Sequence, residues 1–573
     1  MQRGVYVVRI VIVGLLFLLA FGGLASHLFE LQIKRHEELY GKAREKYTSR
    51  RVESGGRGCI FDVNGNLLAG NLACFDVLAE PRRFKQDRDY MAEFLAKWFD
   101  ASESVLSRRF ASNRVEVVVK REVERQLASD FPRAELPGIR FVETERRYYP
   151  KDRLAANILG FLGPDGRGAT GLEQICDQYL QPMQDTEVYQ RDRRGRLLLN
   201  GIEREALPRN GAHVYLTIDE FIQNTVEEEL LKMAAHHRPE AAYAIMADPQ
   251  TGAIMAMAQF PTFNPNHRDT VTPEQWRNRI VGDGFEPGSI MKAVAIAGAL
   301  DYGVVTLADP IDCEDGYWTF CGKPLRDSGH SYGELRVWEV IQKSSNIGTA
   351  KISIAMGERR LYQVLRRFGF GRPTGVEFPG EAPGIFHDLR NWNGLSVSRL
   401  CIGQGILVTP LQMVQAYCAL ANGGIMPQLH IIDRIAYPDT GEVEVNEPKA
   451  KGRVLRAESA SAMAAALKTV TTSDGTARRA AVDGVEVAGK TGTAQKVVDG
   501  QYSRSEHVSS FIGFVPANDP KFVLFVVADN PRRNGYYGGT VAGPVFSRIA
   551  EKTLKYLQAA PIPDRKGAQA AGL

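Results

Sequence analysis

Ile10 to Leu28 reads IVIVGLLFLLAFGGLASHL, nineteen residues in which His27 is the sole ionisable side chain and proline is absent. In hydrocarbon such a segment must satisfy every backbone N–H and C=O within itself, so it can only be a helix. Its length is close to that of one bilayer crossing. Gly23-Leu24-Ala25 offers small residues to a signal peptidase, so a cleaved leader competes with an uncleaved anchor. The run is longer than a usual signal core, which favours the anchor. Flanking charge does not orient it: Arg3 and Arg9 precede it, and Lys34, Arg35, Lys42, Arg44 and Lys46 follow. Large domains cross a membrane largely regardless of such charges, so the side must come from the chemistry.

The remainder of the 573 residues is long enough for more than one domain, and a hydrophobic content of 44% allows a large core. The net charge of +4 comes with no long basic run, so nucleic-acid binding gets no support. Seven scattered cysteines make no disulfide framework. Cys313 and Cys321 flank EDGYWTF, a hairpin-like stretch that leaves two readings open, a pair of free thiols or a bridge in an oxidising compartment. No Cys or His spacing fits a metal site, and no cofactor is expected.

Pattern along the chain divides it into an anchor (1–30), a charged, helix-friendly stalk (31–56), a β-rich domain (57–210), a second domain (211–557) and a Pro- and Ala-rich tail expected to be disordered (558–573). In the β-rich part, CFDVLAE and VEVVVK read as strands around one helix-like stretch, Asp89 to Arg109. Asp219 is placed to cap a helix whose Ile222, Val226, Leu230 and Met233 share one face. Strands are expected at Tyr243–Ala247 and Ile254–Ala258, and then at Glu486–Ala494, Ser509–Val515 and Phe522–Val527, with a closing helix Gly543–Leu557. This is a mixed α+β fold, a sheet flanked by helices.

Three short patterns stand in order in the second domain: Ser289-Ile290-Met291-Lys292, Ser344-Ser345-Asn346 and Lys490-Thr491-Gly492-Thr493. A serine three residues before a lysine occurs by chance about once or twice in a chain this long. The ordered trio is a different matter, because it supplies every part of serine acyl transfer on a peptide. A serine hydroxyl needs a neighbouring base, and Lys292 shares a helical face with Ser289 one turn later. Lysine serves as that base only when burial or a nearby cation lowers its pKa, and Lys490 is the expected cation. Ser344 relays a proton to the leaving amine, while Asn346 holds a substrate amide carbonyl and hydrogen-bonds Lys292. Gly492 is expected to let an extended substrate approach a strand edge, with Lys490, Thr491 and Thr493 on its terminal carboxylate. Backbone N–H groups of Ser289 and Thr493 would form the oxyanion hole.

These residues resemble the penicillin-recognising serine transpeptidase family, and the chain is similar to a class B penicillin-binding protein of the division-specific (penicillin-binding protein 3) type. Arg57-Gly58-Cys59-Ile60-Phe61-Asp62-Val63-Asn64-Gly65, Arg147-Tyr148-Tyr149-Pro150 and Gly168-Ala169-Thr170-Gly171-Leu172-Glu173 resemble that family's non-catalytic, dimerisation-type pedestal. Phe285 to Lys292, Gly403-Gln404-Gly405, Thr409-Pro410-Leu411-Gln412 and Tyr536-Tyr537-Gly538-Gly539 resemble its transpeptidase domain, which has an antiparallel sheet. Val63 stands where an arginine is usual, and Ile290 where threonine is common. The resemblance implies D,D-transpeptidation of peptidoglycan stem peptides at the septum through a Ser289 acyl-enzyme, with β-lactams acylating the same serine. It implies a single-pass plasma-membrane protein whose catalytic domain is periplasmic or otherwise extracytoplasmic. It also implies partners among divisome membrane proteins, including a SEDS-type glycosyltransferase.

Other readings are weaker. Gly166-Arg167-Gly168-Ala169-Thr170-Gly171 matches a dinucleotide fingerprint without a βαβ unit around it. His330 in Asp327-Ser328-Gly329-His330 invites a Ser-His-Asp triad, but a lysine already stands beside the nucleophile. Asp248 and Glu286 read as turn and packing residues. An elongation-specific relative shares every motif, a β-lactam receptor would acylate without cross-linking, and a β-lactamase lacks an assignable hydrolytic glutamate.

Overall fold

The computed structural model describes residues 2–112, 114–132, 136–191, 197–204, 209–268 and 271–559. Packing divides them into two compact units. The first comprises Met1–Gly56 and Pro182–Asn210. Its helix α1 (Gln2–Phe29) is 28 residues long, about 42 Å at 1.5 Å per residue, enough for one crossing. Its described apolar side chains, from Val7 to Phe29, are all exposed, as an anchor requires when lipid is their solvent. The charged stretch after it does not remain helical to Arg51 as its composition implies. A helix over His36–Tyr47 gives way to a strand, Thr48–Ser54, paired antiparallel with Gln184–Arg191, which in turn pairs with Leu197–Arg204.

The second unit holds Arg57–Gln181 together with Gly211–Leu573. Its smaller core is built on antiparallel strands Leu67–Ala79, Val117–Glu124 and Ile139–Tyr148, with Val77, Leu95, Phe99 and Phe110 among the buried side chains. The expected single helix over Asp89–Arg109 is two helices, Arg88–Phe99 and Glu103–Ala111. Asp100 ends the first in the left-handed region at φ 48°, a conformation that stops a helix. The strand Ile60–Phe61 runs parallel to His213–Leu216. One sheet thus joins Arg57–Gln181 to the chain after Gly211 within this unit.

The larger core surrounds a five-stranded sheet of β1 (Ala241–Ala247), β2 (Ile254–Phe260), β3 (Ala488–Val498), β4 (Gln501–Val515) and β5 (Phe522–Asp529). The spatial order is β2-β1-β5-β4-β3 and every pairing is antiparallel, which leaves β3 at an edge. β1 is buried at every position and β5 at all but its last, so both faces of the sheet are covered. Helices α2 (Glu220–His237) and α3 (Met291–Asp301) differ in how they are covered. α2 shows one apolar face and is capped by Asp219, whose side chain accepts from Ile222 N at 3.1 Å. α3 reads MKAVAIAGALD and is buried on every side from Met291 to Leu300, as an all-round apolar helix must be. Helices α4 (Val337–Lys343), α5 (Asn346–Met356) and α6 (Glu358–Arg367) follow, then α7 (Pro410–Ala421), α8 (Ala457–Lys468) and α9 (Gly543–Ala559). α9 runs into the stretch expected to be a disordered tail; residues 560–573 of that tail lie outside the described residues.

The stretch between Cys313 and Cys321 does not bring the two thiols together. The hairpin pairs Tyr317–Phe320 with Lys323–Arg326, so Cys321 sits exposed in its turn and Cys313 is buried beneath Ser345. Both are free thiols.

Candidate active site

Three separate pieces of the larger core meet at the start of α3. The turn before it is shaped by glycine: Gly288 has φ +59° and sits so close to the Gly403 loop that a Cβ on Gly403 would lie 2.2 Å from the Gly288 carbonyl oxygen. Phe285 and Val408 exchange two backbone hydrogen bonds, and the Tyr417 hydroxyl donates to Ile290 O at 2.9 Å. These contacts hold Gly288–Ile290 as a short 3-10 turn that presents Ser289 at the mouth of α3. Among the described residues the Ser289 hydroxyl has no hydrogen-bond partner. Catalytic hydrogen bonds of an empty site commonly tighten only when substrate arrives.

Lys292 lies one turn further, fully buried. Its Nζ donates to Ser344 O at 2.6 Å and to Ser344 Oγ at 3.2 Å. Lys490, equally buried on β3, donates from Nζ to the same hydroxyl at 2.8 Å. Two amines therefore converge on one Ser344 Oγ. Burial pushes the Lys292 pKa down to about 8, with the Asp327 carboxylate pulling the other way. Burial drives Lys490 well below its ordinary value, and the Lys292 charge lowers it further. Of the two causes expected for a depressed Lys292, burial is the leading one. Desolvation is the main cause at both, and the repulsion between two ammonium charges in one site is mutual.

Ser344 ends α4 in the left-handed region, φ 60° and ψ 40°, strained geometry for a residue with a Cβ. Its surroundings over-determine it. Ser345 caps α5 through Gly348 N, and the buried Asp327 carboxylate accepts from Ser345 Oγ (2.7 Å), Asn346 N (2.6 Å) and Ile347 N (3.1 Å). Asp327 is the residue that motif reading passed over. Its neighbour His330 drew attention instead, yet that ring is exposed and lies tilted beside Tyr332. Nothing in the local sequence marks Asp327 as a helix cap 18 residues away from Ser345. Asn346 also differs from expectation: its Nδ2 donates to Arg326 O at 2.7 Å and it makes no bond to Lys292.

Packing gives Gly492 a reason beside the one expected. A Cβ there would lie 2.3 Å from Ser510 Oγ, 3.2 Å from Ile290 Cγ2 and 3.3 Å from Pro287 O. Its missing side chain admits the nucleophile turn, and so docks β3 against Ser289. The edge of β3 that does not face β4 remains unpaired within the sheet. Thr491 Oγ1 lies 3.1 Å from Thr476 Oγ1, and Thr493 Oγ1 accepts from Gly538 N at 3.0 Å. Asp248 holds its turn through Gln250 N, and Glu286 accepts from Gly405 N and the Tyr502 hydroxyl.

Residues 242–551 match the penicillin binding protein transpeptidase domain, and residues 52–216 match the penicillin-binding protein dimerisation domain. The probable peptidoglycan D,D-transpeptidase PenA of Neisseria meningitidis is 32% identical over 544 residues, covering 94% of this chain and 91% of that protein. The peptidoglycan D,D-transpeptidase FtsI of Escherichia coli is 31% identical over 521 residues, covering 88% and 84%. Among solved structures, penicillin binding protein 3 of Mycobacterium tuberculosis complexed with aztreonam superposes with a TM-score of 0.70 at 27% identity, over 90% of this chain and 98% of that one.

Proposed function

The chain belongs to the penicillin-binding protein transpeptidase family as a class B member, and we propose that it cross-links peptidoglycan stem peptides through an acyl-enzyme on Ser289. The observation that carries this reading is the Ser344 hydroxyl held between two buried lysines, 3.2 Å from Lys292 Nζ and 2.8 Å from Lys490 Nζ. Neutral Lys292 accepts the Ser289 proton as Oγ attacks the carbonyl between the last two D-alanines. The proton passes through Ser344 Oγ to the departing D-alanine nitrogen, and the C–N bond breaks. Lys490 with the Thr491 and Thr493 hydroxyls holds the terminal carboxylate, and Asn346 a substrate amide. Backbone N–H groups of Ser289 and Thr493 face the oxyanion. An amine of a second stem then attacks the ester, returns its proton along the same route and releases Ser289. A β-lactam enters by the first half of this sequence and stays as the ester.

The apolar α1 supports a single-pass plasma-membrane anchor, and the wall substrate places the catalytic domain outside the cytoplasm, periplasmic where an outer membrane exists. Similarity to FtsI supports a role at the septum beside other divisome membrane proteins. A SEDS-type glycosyltransferase is the partner that would supply polymerised glycan. Labelling with a fluorescent penicillin tests the centre of the proposal. Wild type should carry one covalent adduct and Ser289→Ala none, and an adduct that persists in the variant rejects Ser289 as nucleophile. Fluorescently tagged protein should gather at mid-cell; side-wall placement transfers it to the elongation machinery.

A further inference from the structure

α3 has two ends. Ser289 stands before its first residue, and Asp301 and Tyr302 close it about 18 Å away. At that far end lies an open cavity of about 840 Å³ whose lining includes Tyr302, Tyr362, Arg366, Arg367, Arg372 and Asp388. Three guanidinium groups share this concavity with one carboxylate, in a chain whose net charge is only +4.

Arg366 and Arg367 are held in place by their neighbours. Arg366 lies over the Tyr362 and Phe386 rings at 5.3 and 4.9 Å and donates to the Tyr362 hydroxyl and to Asp388. Arg367 lies 5.3 Å from the Tyr302 ring centre and 3.5 Å from Asp301. Arg360, on the adjoining surface of α6, lies over the same ring at 5.3 Å. Among the described residues Arg360 forms no ion pair, and the Arg372 side chain forms neither ion pair nor hydrogen bond. Stacking fixes the Arg360, Arg366 and Arg367 guanidinium planes in advance, so an incoming anion orders less side chain, while Arg372 has its full fork of N–H groups to offer a carboxylate.

We propose that this cavity binds a carboxylate-bearing peptide, held chiefly by Arg367 and Arg372, at the end of α3 remote from Ser289. Among the described residues the lining contains no aliphatic side chain, whereas a membrane-docking patch needs apolar groups to insert. Asp388 and Gln363 add an acceptor and an amide that suit peptide N–H and C=O groups, which a bare phosphate lacks. Two sources share this chemistry: a wall stem peptide, and an acidic segment of a partner protein. The stem-peptide source rests on the transpeptidase reading; the other does not.

The test is calorimetry on the full chain in detergent, pre-treated with penicillin so that the Ser289 cleft is filled. The probes are a disaccharide-tetrapeptide muropeptide, a hexaglutamate peptide, inorganic phosphate and phosphatidylglycerol vesicles. Saturable binding of at least one peptide is expected, weakening with salt and falling by about tenfold in Arg367→Gln/Arg372→Gln. The tighter peptide identifies the source. No peptide binding, equal binding by the double variant, or binding of phosphate or vesicles alone overturns the proposal. Penicillin labelling of the double variant should match wild type. Labelling without peptide binding sinks this inference alone, while absence of labelling in wild type sinks the catalytic reading and leaves the hexaglutamate measurement to judge the cavity.

Discussion

Two of the places where charge is buried in the larger unit have opposite arrangements. In the pedestal-like part, Glu173 is fully buried between two arginines, Arg57 at 2.7 Å and Arg147 at 2.6 Å, and Arg57 also meets Asp177 at 2.8 Å. Every charge there has a partner of opposite sign, and the Arg57 contact helps hold the Asp177 carboxyl below its usual range. At the start of α3, Lys292 and Lys490 are buried with like sign around one neutral hydroxyl. Desolvation that is offset in the first place is left to depress two amine pKa values in the second. Burial in direct ion pairs gives a structural joint; burial without a direct ion pair gives a base that works near neutral pH.

Breaking each arrangement should have different consequences. Lys292→Ala should slow penicillin acylation by about 10⁴-fold or more, read by stopped labelling, with the melting temperature unchanged or raised because a desolvated cation is gone. A melting temperature that collapses in step with activity would make Lys292 a structural residue. Glu173→Gln should do the reverse. Two arginines lose their counter-charge, so stability falls by about 3–5 kcal/mol in denaturant titration while the folded fraction still acylates normally. Asp327→Asn tests the link between the two styles, since that carboxylate is a structural cap that positions the Ser344 segment. Acylation should fall about 10²-fold with the pH midpoint displaced, and an unshifted profile would reduce Asp327 to a helix cap.

The smallest effect is the pH dependence itself. With Lys292 at about 8, acylation should climb about tenfold per unit below that pH and level off above it. Stability runs the same way by linkage. Between about 8 in the folded chain and the ordinary 10.5 in the unfolded one, the unfolded state binds more protons, so wild type gains stability relative to Lys292→Met as pH rises through that window. A flat difference between the two would mean that the lysine is not desolvated.

Much of this was legible along the chain. The apolar run could only be a helix, β1, β2 and β5 announce themselves by continuous apolar residues, and Asp219 with its apolar face marked α2. Such features depend on neighbours within a turn or two. The trio of motifs was legible as chemistry because residue type and order limit what can attack, what can accept a proton and what can hold a carboxylate. Less legible was anything that depended on distance in space. Gly492 looked like room for a substrate, and its close neighbours Ser510, Ile290 and Pro287 could not be read from the motif; Asn346 looked like a partner of Lys292 and bonds Arg326 instead. Cys313 and Cys321, close in sequence, are kept apart by the hairpin between them.

The sequence by itself determined the parts: an apolar anchor, a sheet with helices, a serine, two lysines and a second serine in a fixed order. Only the tertiary structure decided that both lysines lose water around the same hydroxyl, and that Asp327 stands beneath the strained Ser344 segment. The physical reason is that propensity and periodicity are local sums, whereas desolvation depends on what the rest of the chain stacks around a group. A lysine becomes a base here through the 52 and 146 residues that separate Ser344 from its two amines, folded so that no water reaches either.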